Sequence, residues 1–388
     1  MSKLLIAHGG APTAVLNASL YGAVTEAQKH AHIDGIWGAI HGSAGILEER
    51  FTDLGALPPE KLALLLTSPA SAIGTSRTPL EAPEYARMAQ ALQKHKIGYV
   101  LFAGGNGSMD TCGKLARACQ GLGIVVGGIP KTIDNDIGVI DHAPGYGSAA
   151  RFAAQALREI AQDVKAMPIH VCIVEMMGRN AGWIAAATAL ARTGEGTAPH
   201  LIYLPERPFD EKQFLTDVKR QWDRQPGVVV AVSEGLKRPD GETVAPPVFR
   251  SGRARYDGDV SAYLAKLVIS ELGIKARNEK PGILGRCCLE MQSPVDREEA
   301  VRMGALAAKT VLAGQGSMMA GLRRISDDPY RCQEILVPVQ EVMLQEHVMP
   351  GEFLHPNGHD VTDAFVRWCK PLIGGGLPVF ADFKQPIA

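Results

Sequence analysis

The 388-residue chain is 46% hydrophobic and 21% charged, contains 42 glycines and carries a formal net charge of −1, the composition of an ordinary globular protein. So even a balance, with no long run of like charge, excludes a basic nucleic-acid surface or a membrane-binding face, and any charged ligand must be met by local clusters. The length suggests two or three compact units. No stretch approaches the roughly eighteen consecutive apolar residues of a membrane span, and Met1-Ser2-Lys3 runs straight into a short apolar segment without a leader pattern, so a cytoplasmic location is expected. The seven cysteines lack paired C-x-x-C spacing. They read as reduced, mostly buried thiols.

In chain order, Lys3-Leu4-Leu5-Ile6-Ala7-His8 predicts a strand, Gly9-Gly10-Ala11-Pro12-Thr13 a turn, and an apolar-periodic helix begins near Ala14. Strand, glycine turn and helix together aim backbone N–H groups at an anion, although the Gly-Lys-Ser/Thr ending of a Walker A loop is missing. Gly74-Thr75-Ser76-Arg77, after a small-residue loop, offers an arginine to a phosphate. Ile97-Gly98-Tyr99-Val100-Leu101-Phe102-Ala103 is a second strand, ending in Gly104-Gly105-Asn106-Gly107-Ser108 before a helix predicted from Met109 to about Gln120.

A third apolar run, Ile124-Val125-Val126, leads into Gly128-Ile129-Pro130-Lys131-Thr132-Ile133-Asp134-Asn135-Asp136. In an extended segment the alternate side chains Asp134 and Asp136 share a face and can converge on one cation or one hydroxyl. Lys131 beside them suits a phosphate whose charge must be neutralised as it moves. The plainer alternative is a polar turn in which Asp134 and Asn135 cap the next segment. Three such turns at strand ends place three ligand-binding edges on one side of a sheet.

Pro144 precedes a long helix through about Asp163, and Gly145, Gly147 and Ala150 match only loosely a dinucleotide fingerprint. Residues 170–175 predict a strand ending in Met176-Met177-Gly178-Arg179, followed by an Ala-rich helix to about Ala191. Leu201-Ile202-Tyr203-Leu204 ends in Pro205-Glu206, and residues 228–232 end in Ser233-Glu234-Gly235. After the turn Pro239-Asp240-Gly241 a stretch containing glycine and arginine runs to Tyr256, then a helix to about Leu272. Ile283-Leu284-Gly285-Arg286 reads as a last sheet strand, Ser293-Pro294-Val295-Asp296 as a helix start, and the pattern weakens from Gln315 to a loop-like tail.

Taken together, Gly74-Thr75-Ser76-Arg77, Gly104-Gly105-Asn106-Gly107-Ser108, Pro130-Lys131-Thr132-Ile133-Asp134-Asn135-Asp136, Met177-Gly178-Arg179 and Pro205-Glu206 make the chain resemble the phosphofructokinase family. The resemblance is to its long, pyrophosphate-type bacterial branch and extends to about residue 310. It implies an α/β fold of two similar three-layer lobes with mostly parallel sheets. Residues 1–145 with about 288–345 would form the lobe that binds phosphoryl donor and Mg²⁺; residues 146–287 with about 346–388 would bind sugar phosphate. The implied reaction is Mg²⁺-dependent phosphoryl transfer to the 1-hydroxyl of fructose 6-phosphate.

By the same resemblance Asp134 is the general base, Asp136 and Thr132 help hold metal, phosphoryl group and acceptor, and Asn106 joins Asp134 and Asp136 around the metal. Gly10 presents a backbone N–H to the transferred group, Arg77 and Lys131 stabilise its charge, and Gly105, Asn106, Gly107 and Ser108 hold the donor. Met177, Gly178, Arg179 and Glu206 line the sugar site, with Arg286 and Lys280 at the acceptor's existing phosphate. His170 occupies a position from which many members reach the neighbouring subunit's sugar phosphate, and a homodimer or homotetramer is implied.

The departures are Asn106 for a usual aspartate, Ala11 for the second glycine of the first loop, and His170. On the donor, Lys131 is typical of pyrophosphate users. Gly107 lacks the carboxylate that in such enzymes fills the space of an ATP α-phosphate. A missing block admits nucleotide while a lysine does not forbid it, so the balance falls on ATP, with pyrophosphate, or a related sugar phosphate as acceptor, as the alternatives. Two other classes stay open: a nicotinamide-dependent reductase using Gly145-Tyr146-Gly147, and a catalytically silent sugar-phosphate sensor, suggested by Asn106 and His170.

Overall fold

The computed structural model describes residues 2–251, 254–343 and 345–383. Its first part runs β1 (Ser2–His8), α1 (Leu16–Ala27), β2 (Ile33–Ala39), α2 (Gly42–Leu47), β3 (Phe51–Asp53), α3 (Pro59–Ala63), α4 (Ala82–Lys94), β4 (Ile97–Gly104), α5 (Asn106–Ala118) and β5 (Val125–Pro130). β1 lies between β2 and β4, parallel to both, and β5 lies parallel beyond β4. Their near-continuous apolar runs suit strands covered on both faces. Along β1, Leu5 and Ala7 join one apolar cluster with Met88 of α4 and Met109 of α5, while Leu4 and Ile6 join another with Leu16 and Leu20 of α1. Alternation along a pleated strand thus creates three layers.

The second part begins with α6 (Tyr146–Ala166) and continues through β6 (Val171–Met176), α7 (Trp183–Ala187), β7 (Leu201–Tyr203), α8 (Glu211–Arg224), β8 (Val228–Ser233), β9 (Pro247–Ser251), β10 (Ala254–Asp257), α9 (Val260–Leu272), β11 (Ala276–Glu279) and α10 (Leu284–Cys287). β11, β6, β8 and β7 form a parallel sheet in that order, and β9 pairs with β10 antiparallel. Within the stretch read up to Tyr256, residues 252 and 253 lie outside the described residues. Asp210 caps α8, its Oδ1 accepting the N–H groups of Lys212 and Gln213 at 2.8 and 3.0 Å, which satisfies donors that a helix start leaves bare.

The chain then returns to the first sheet through α11 (Pro294–Leu312), β12 (Met318–Asp327) and β13 (Tyr330–Pro338), followed by α12 (Val339–Val342) and α13 (Asp363–Cys369). β12 joins β5 through Met319 and Gly128, and β13 closes the edge, giving the order β13-β12-β5-β4-β1-β2-β3. This hairpin is where the sequence pattern weakened. Ile283-Leu284-Gly285-Arg286 is not a strand: the last sheet strand is β11, and those four residues enter the short helix α10 after the Pro281-Gly282 turn. α5 also starts at Asn106 rather than Met109, so Asn106, Gly107 and Ser108 form its first turn.

α1 and α11 cross closely. A Cβ added at Gly22 would lie 2.0 Å from the Val301 carbonyl oxygen, and one at Gly304 would lie 1.9 Å from that of Ser19. Gly304→Ala is therefore expected to cost about 1–3 kcal/mol through overpacking, read as a lower urea midpoint. An unchanged midpoint would show that the helices can part freely.

Candidate active site

The ends of β1, β4 and β5 open onto a cleft of about 390 Å³ lined by Gly10, Arg77, Gly105, Asn106, Gly107, Ser108, Lys131, Thr132, Asp134 and Asp136. This is the carboxyl edge of a parallel sheet, where loops from successive strands converge. A larger hollow of about 600 Å³ at the opposite edge of the second sheet, near Arg158, Thr193, His200 and Gly227, contains none of the predicted site residues.

The residues following β5 are held by their own side chains. Thr132 Oγ1 donates to Asp136 Oδ1 at 2.8 Å and accepts the Asp134 N–H at 3.1 Å. From α5, Asn106 Nδ2 donates to the Asp136 carbonyl at 2.8 Å and to Asp136 Oδ2 at 3.3 Å. Its Oδ1 is buried without a partner. An unsatisfied amide oxygen beside two carboxylates is an oxygen-only donor set of the kind a hard divalent cation takes, so the residues fit such an ion.

Burial, with Asp136 and Glu234 adding like charge, pushes the Asp134 carboxyl up to about 7 against the pull of Lys131 and Arg179. Burial likewise pulls the Lys131 ammonium down to about 8, with Arg77 and Arg286 adding to the effect and Asp134 and Asp136 opposing it. Lys131 Nζ donates to the Ala11 carbonyl at 2.5 Å, pinning it beneath the first glycine turn. A carboxylate and an amine both poised near neutrality in one cleft mark a site of proton and charge transfer. Arg179, Glu234 and Arg286 of the second part are thus close enough to act on the charges of the Asp134 cluster.

From that side, Gly178 donates its N–H to Glu234 Oε1 at 3.2 Å, and its carbonyl accepts the Ser233 hydroxyl. Glu206 Oε1 accepts the Gly182 N–H at 2.8 Å, while Oε2 is buried and unpartnered. Met177 packs with Ile133 and Gly285 around a small gap behind the cleft. Arg286 enters on α10 with a buried, unpartnered Nε, a cation free to meet an anion.

Two expectations change. Gly10 lines the cleft, but its N–H donates to the Ser76 carbonyl at 3.1 Å and does not point freely at a ligand. The Lys280 ammonium is held by the buried Glu175, 2.9 Å away, and by Asp259, so its charge is already matched. His170, expected to reach a neighbouring subunit rather than this cleft, precedes β6 at the amino edge of the second sheet, about 20 Å from the Met176 end at some 3.3 Å per residue.

The dinucleotide reading fails on geometry, because the Gly145 N–H donates to Asp296 Oδ1 at 2.8 Å inside the protein. Asp296 lies in the first turn of α11, as the sequence suggests, and also caps α6 by accepting the Ser148 N–H at 2.9 Å. Glu234 was missed, although Ser233-Glu234-Gly235 follows a strand as Met177-Gly178-Arg179 does, and that shared position was the available signal. The seven cysteines are free, with Cys112, Cys119, Cys172 and Cys369 buried. Among the described residues no helix is long and apolar enough to cross a membrane.

Two α/β sheets, with Asp134, Asp136, Lys131 and Arg77 lining one cleft and Arg179 and Arg286 near enough to act on its charges, fit a phosphotransferase. A family profile described as Phosphofructokinase matches residues 3–311. The chain is 38% identical, over 97% of its length and 95% of the relative's, to a pyrophosphate–fructose 6-phosphate 1-phosphotransferase of Rhodospirillum rubrum. It is 33% identical, over 96% of its length and 95% of the relative's, to a sulfofructose kinase of Alkalicoccus urumqiensis. The crystal structure of a pyrophosphate-dependent phosphofructokinase from Nitrosospira multiformis superposes with a TM-score of 0.89 at 32% identity, covering 99% of this chain and 95% of that one. The chain belongs to the phosphofructokinase family, and its relatives favour pyrophosphate over the ATP that the open position at Gly107 suggested.

Proposed function

We propose that the chain is a 6-phosphofructokinase that transfers a phosphoryl group from pyrophosphate to the 1-hydroxyl of fructose 6-phosphate, giving fructose 1,6-bisphosphate. The observation that carries this reading is Asp134, poised near neutrality, sharing one cleft with Lys131 in a chain so similar along its whole length to an enzyme of that name. Residues 1–145 with about 288–345 form the donor lobe and residues 146–287 with about 346–388 the sugar-phosphate lobe. Asp134 takes the proton of the attacking hydroxyl. Lys131 and Arg77 offset charge on the group in transfer, with Gly105, Gly107 and Ser108 around the donor.

Thr132 holds Asp136 in place, and Met177, Gly178, Arg179, Glu206 and Glu234 shape the sugar subsite. Arg286 meets the existing phosphate. Lys280 contributes by fixing Glu175 rather than by binding that phosphate directly, and His170 serves a neighbouring subunit in a homodimer or homotetramer. Asn106, Asp134 and Asp136 would hold Mg²⁺, which when bound draws charge from the phosphoryl oxygens. A cytoplasmic enzyme without nucleic-acid or membrane partners is the setting this reading implies.

ATP as donor is the second reading, and one feature favours it: a Cβ added at Gly107 meets nothing within 4 Å. A coupled assay with pyrophosphate and ATP in parallel, fructose 6-phosphate as acceptor, is expected to give turnover at least about tenfold faster with pyrophosphate. Faster turnover with ATP would reverse the assignment, and none with either donor would leave the sensor reading standing. Gly107→Asp is expected to remove any ATP-supported rate while sparing the pyrophosphate-supported one.

A further inference from the structure

The segment between β5 and α6 doubles back on itself, and its return half carries a buried histidine that the proposed reaction does not use. The Thr132 N–H donates to the Pro144 carbonyl at 3.2 Å and Asn135 Oδ1 accepts the Ala143 N–H at 3.1 Å, so residues 131–136 rest on residues 143–145. Charge fixes the return half. His142 is 1% exposed, with Nδ1 2.7 Å from Asp141 Oδ2 and Nε2 2.7 Å from Glu299 Oε2 of α11. Ionised carboxylates only accept hydrogen bonds, so both contacts are satisfied together when both ring nitrogens carry protons.

The surrounding groups agree with a charged ring. Arg324 of β12 holds Asp141 at 3.1 Å, and Trp368 Nε1 of α13 donates to the same carboxylate at 3.1 Å. On β13 the Tyr330 hydroxyl donates to Glu299 Oε1 at 2.6 Å and lies 3.4 Å from His142 Nε2, while the Cys332 thiol, pushed up to about 11 by burial, sits 3.2 Å from that hydroxyl. Arg302, further along α11, is paired with Glu334 at 2.8 Å. Burial opposes the imidazolium, yet Glu299 and Asp141 outweigh it and raise His142 to about 9. Asp141, His142 and Cys332 bring ligand atoms within 4.8 Å of one another, but with both nitrogens protonated the ring has no lone pair for a metal.

We propose that His142, as an imidazolium, is a positioning residue for phosphoryl transfer. Its charge-assisted hydrogen bond to Glu299 fastens the return segment to α11, its bond to Asp141 orients the carboxylate that Arg324 of β12 grips, and that segment in turn holds Asp134 and Asp136 at the cleft. The inference rests on the reading of Asp134 as the base. Its test is chosen to fail separately: absence of turnover in the unaltered enzyme would sink that reading, whereas the charge state of His142 is measured without substrate.

Nitrogen-15 NMR of the histidine-labelled enzyme is expected to show both His142 nitrogens protonated at pH 7.5. His142→Gln, which keeps one donor and loses the charge, is expected to lower kcat ~10- to 100-fold with KM for the sugar phosphate changed less than about threefold, since a displaced reacting group slows chemistry more than it weakens ground-state binding. Glu299→Gln supplies the readout that a purely structural role would not move. By removing one counter-charge it lowers the imidazolium pKa, so its kcat relative to the unaltered enzyme should be near one at pH 6.5 and about 0.1 or less at pH 8.5. A neutral imidazole at pH 7.5, or a Glu299→Gln ratio that stays flat with pH, overturns the proposal even if His142→Gln does not fold.

Discussion

Asp134→Asn is expected to lower kcat by ~10²–10⁴, the typical loss when a positioned general base is removed, while binding of the sugar phosphate changes little. The variant should also melt at a higher temperature than the unaltered protein above pH 7. Burial and the neighbouring Asp136 and Glu234 raise the Asp134 carboxyl to about 7, so its ionised form opposes folding there and a neutral amide relieves that opposition. Activity lost with stability gained separates a residue kept for chemistry from one kept for the fold. A variant that turns over at even a tenth of the normal rate would remove Asp134 from the base role.

Lys131→Met is expected to lower kcat by ~10²–10³, as loss of a preorganised charge facing the group in transfer typically does. It should also reshape the pH profile. Asp134 must be ionised to accept a proton, so turnover falls as pH drops through about 7. Lys131 must be protonated to offset charge, so turnover falls as pH rises through about 8. The unaltered enzyme should show a narrow bell between those values, and the variant should lose the fall near 8 and keep only the later one near 9 that deprotonation of His142 brings. Steady-state kinetics from pH 5.5 to 10 would decide it, and a limb near 8 that survives unshifted in Lys131→Met would assign that limb elsewhere.

Much of the catalytic half of this molecule is legible in the chain because its signals are local. A run such as residues 97–103 can only be a buried strand, and the polar turn after it can only face the edge of the sheet. The Thr132–Asp136 contact is not legible, because the extended reading sets the two about 13 Å apart, whereas the backbone turns at Asn135, where φ is 50°. What else escaped depends on partners distant in sequence. β12 and β13 read weakly because Arg323, Ile325 and Glu334 alternate on an edge half open to solvent, and their register is set by the hairpin rather than by burial. Lys280 looked like a ligand for an anion because nothing nearby in the chain announces Glu175, more than a hundred residues earlier. Gly10 looked free for the same reason, since the Ser76 carbonyl that accepts its N–H arrives from another loop. Residues 283–286 are apolar enough for a strand, but Pro281-Gly282 turns the backbone just before them and they close into a single helical turn.

Because the ribosome delivers β12 and β13 only after the whole second sheet, the flank of β5 stays uncovered for most of synthesis. An unpaired parallel strand is a template for the wrong neighbour. The seven-stranded sheet cannot be cloned as one uninterrupted fragment, and a message cut short near residue 290 would yield a chain whose largest sheet lacks its border and which is prone to associate with copies of itself.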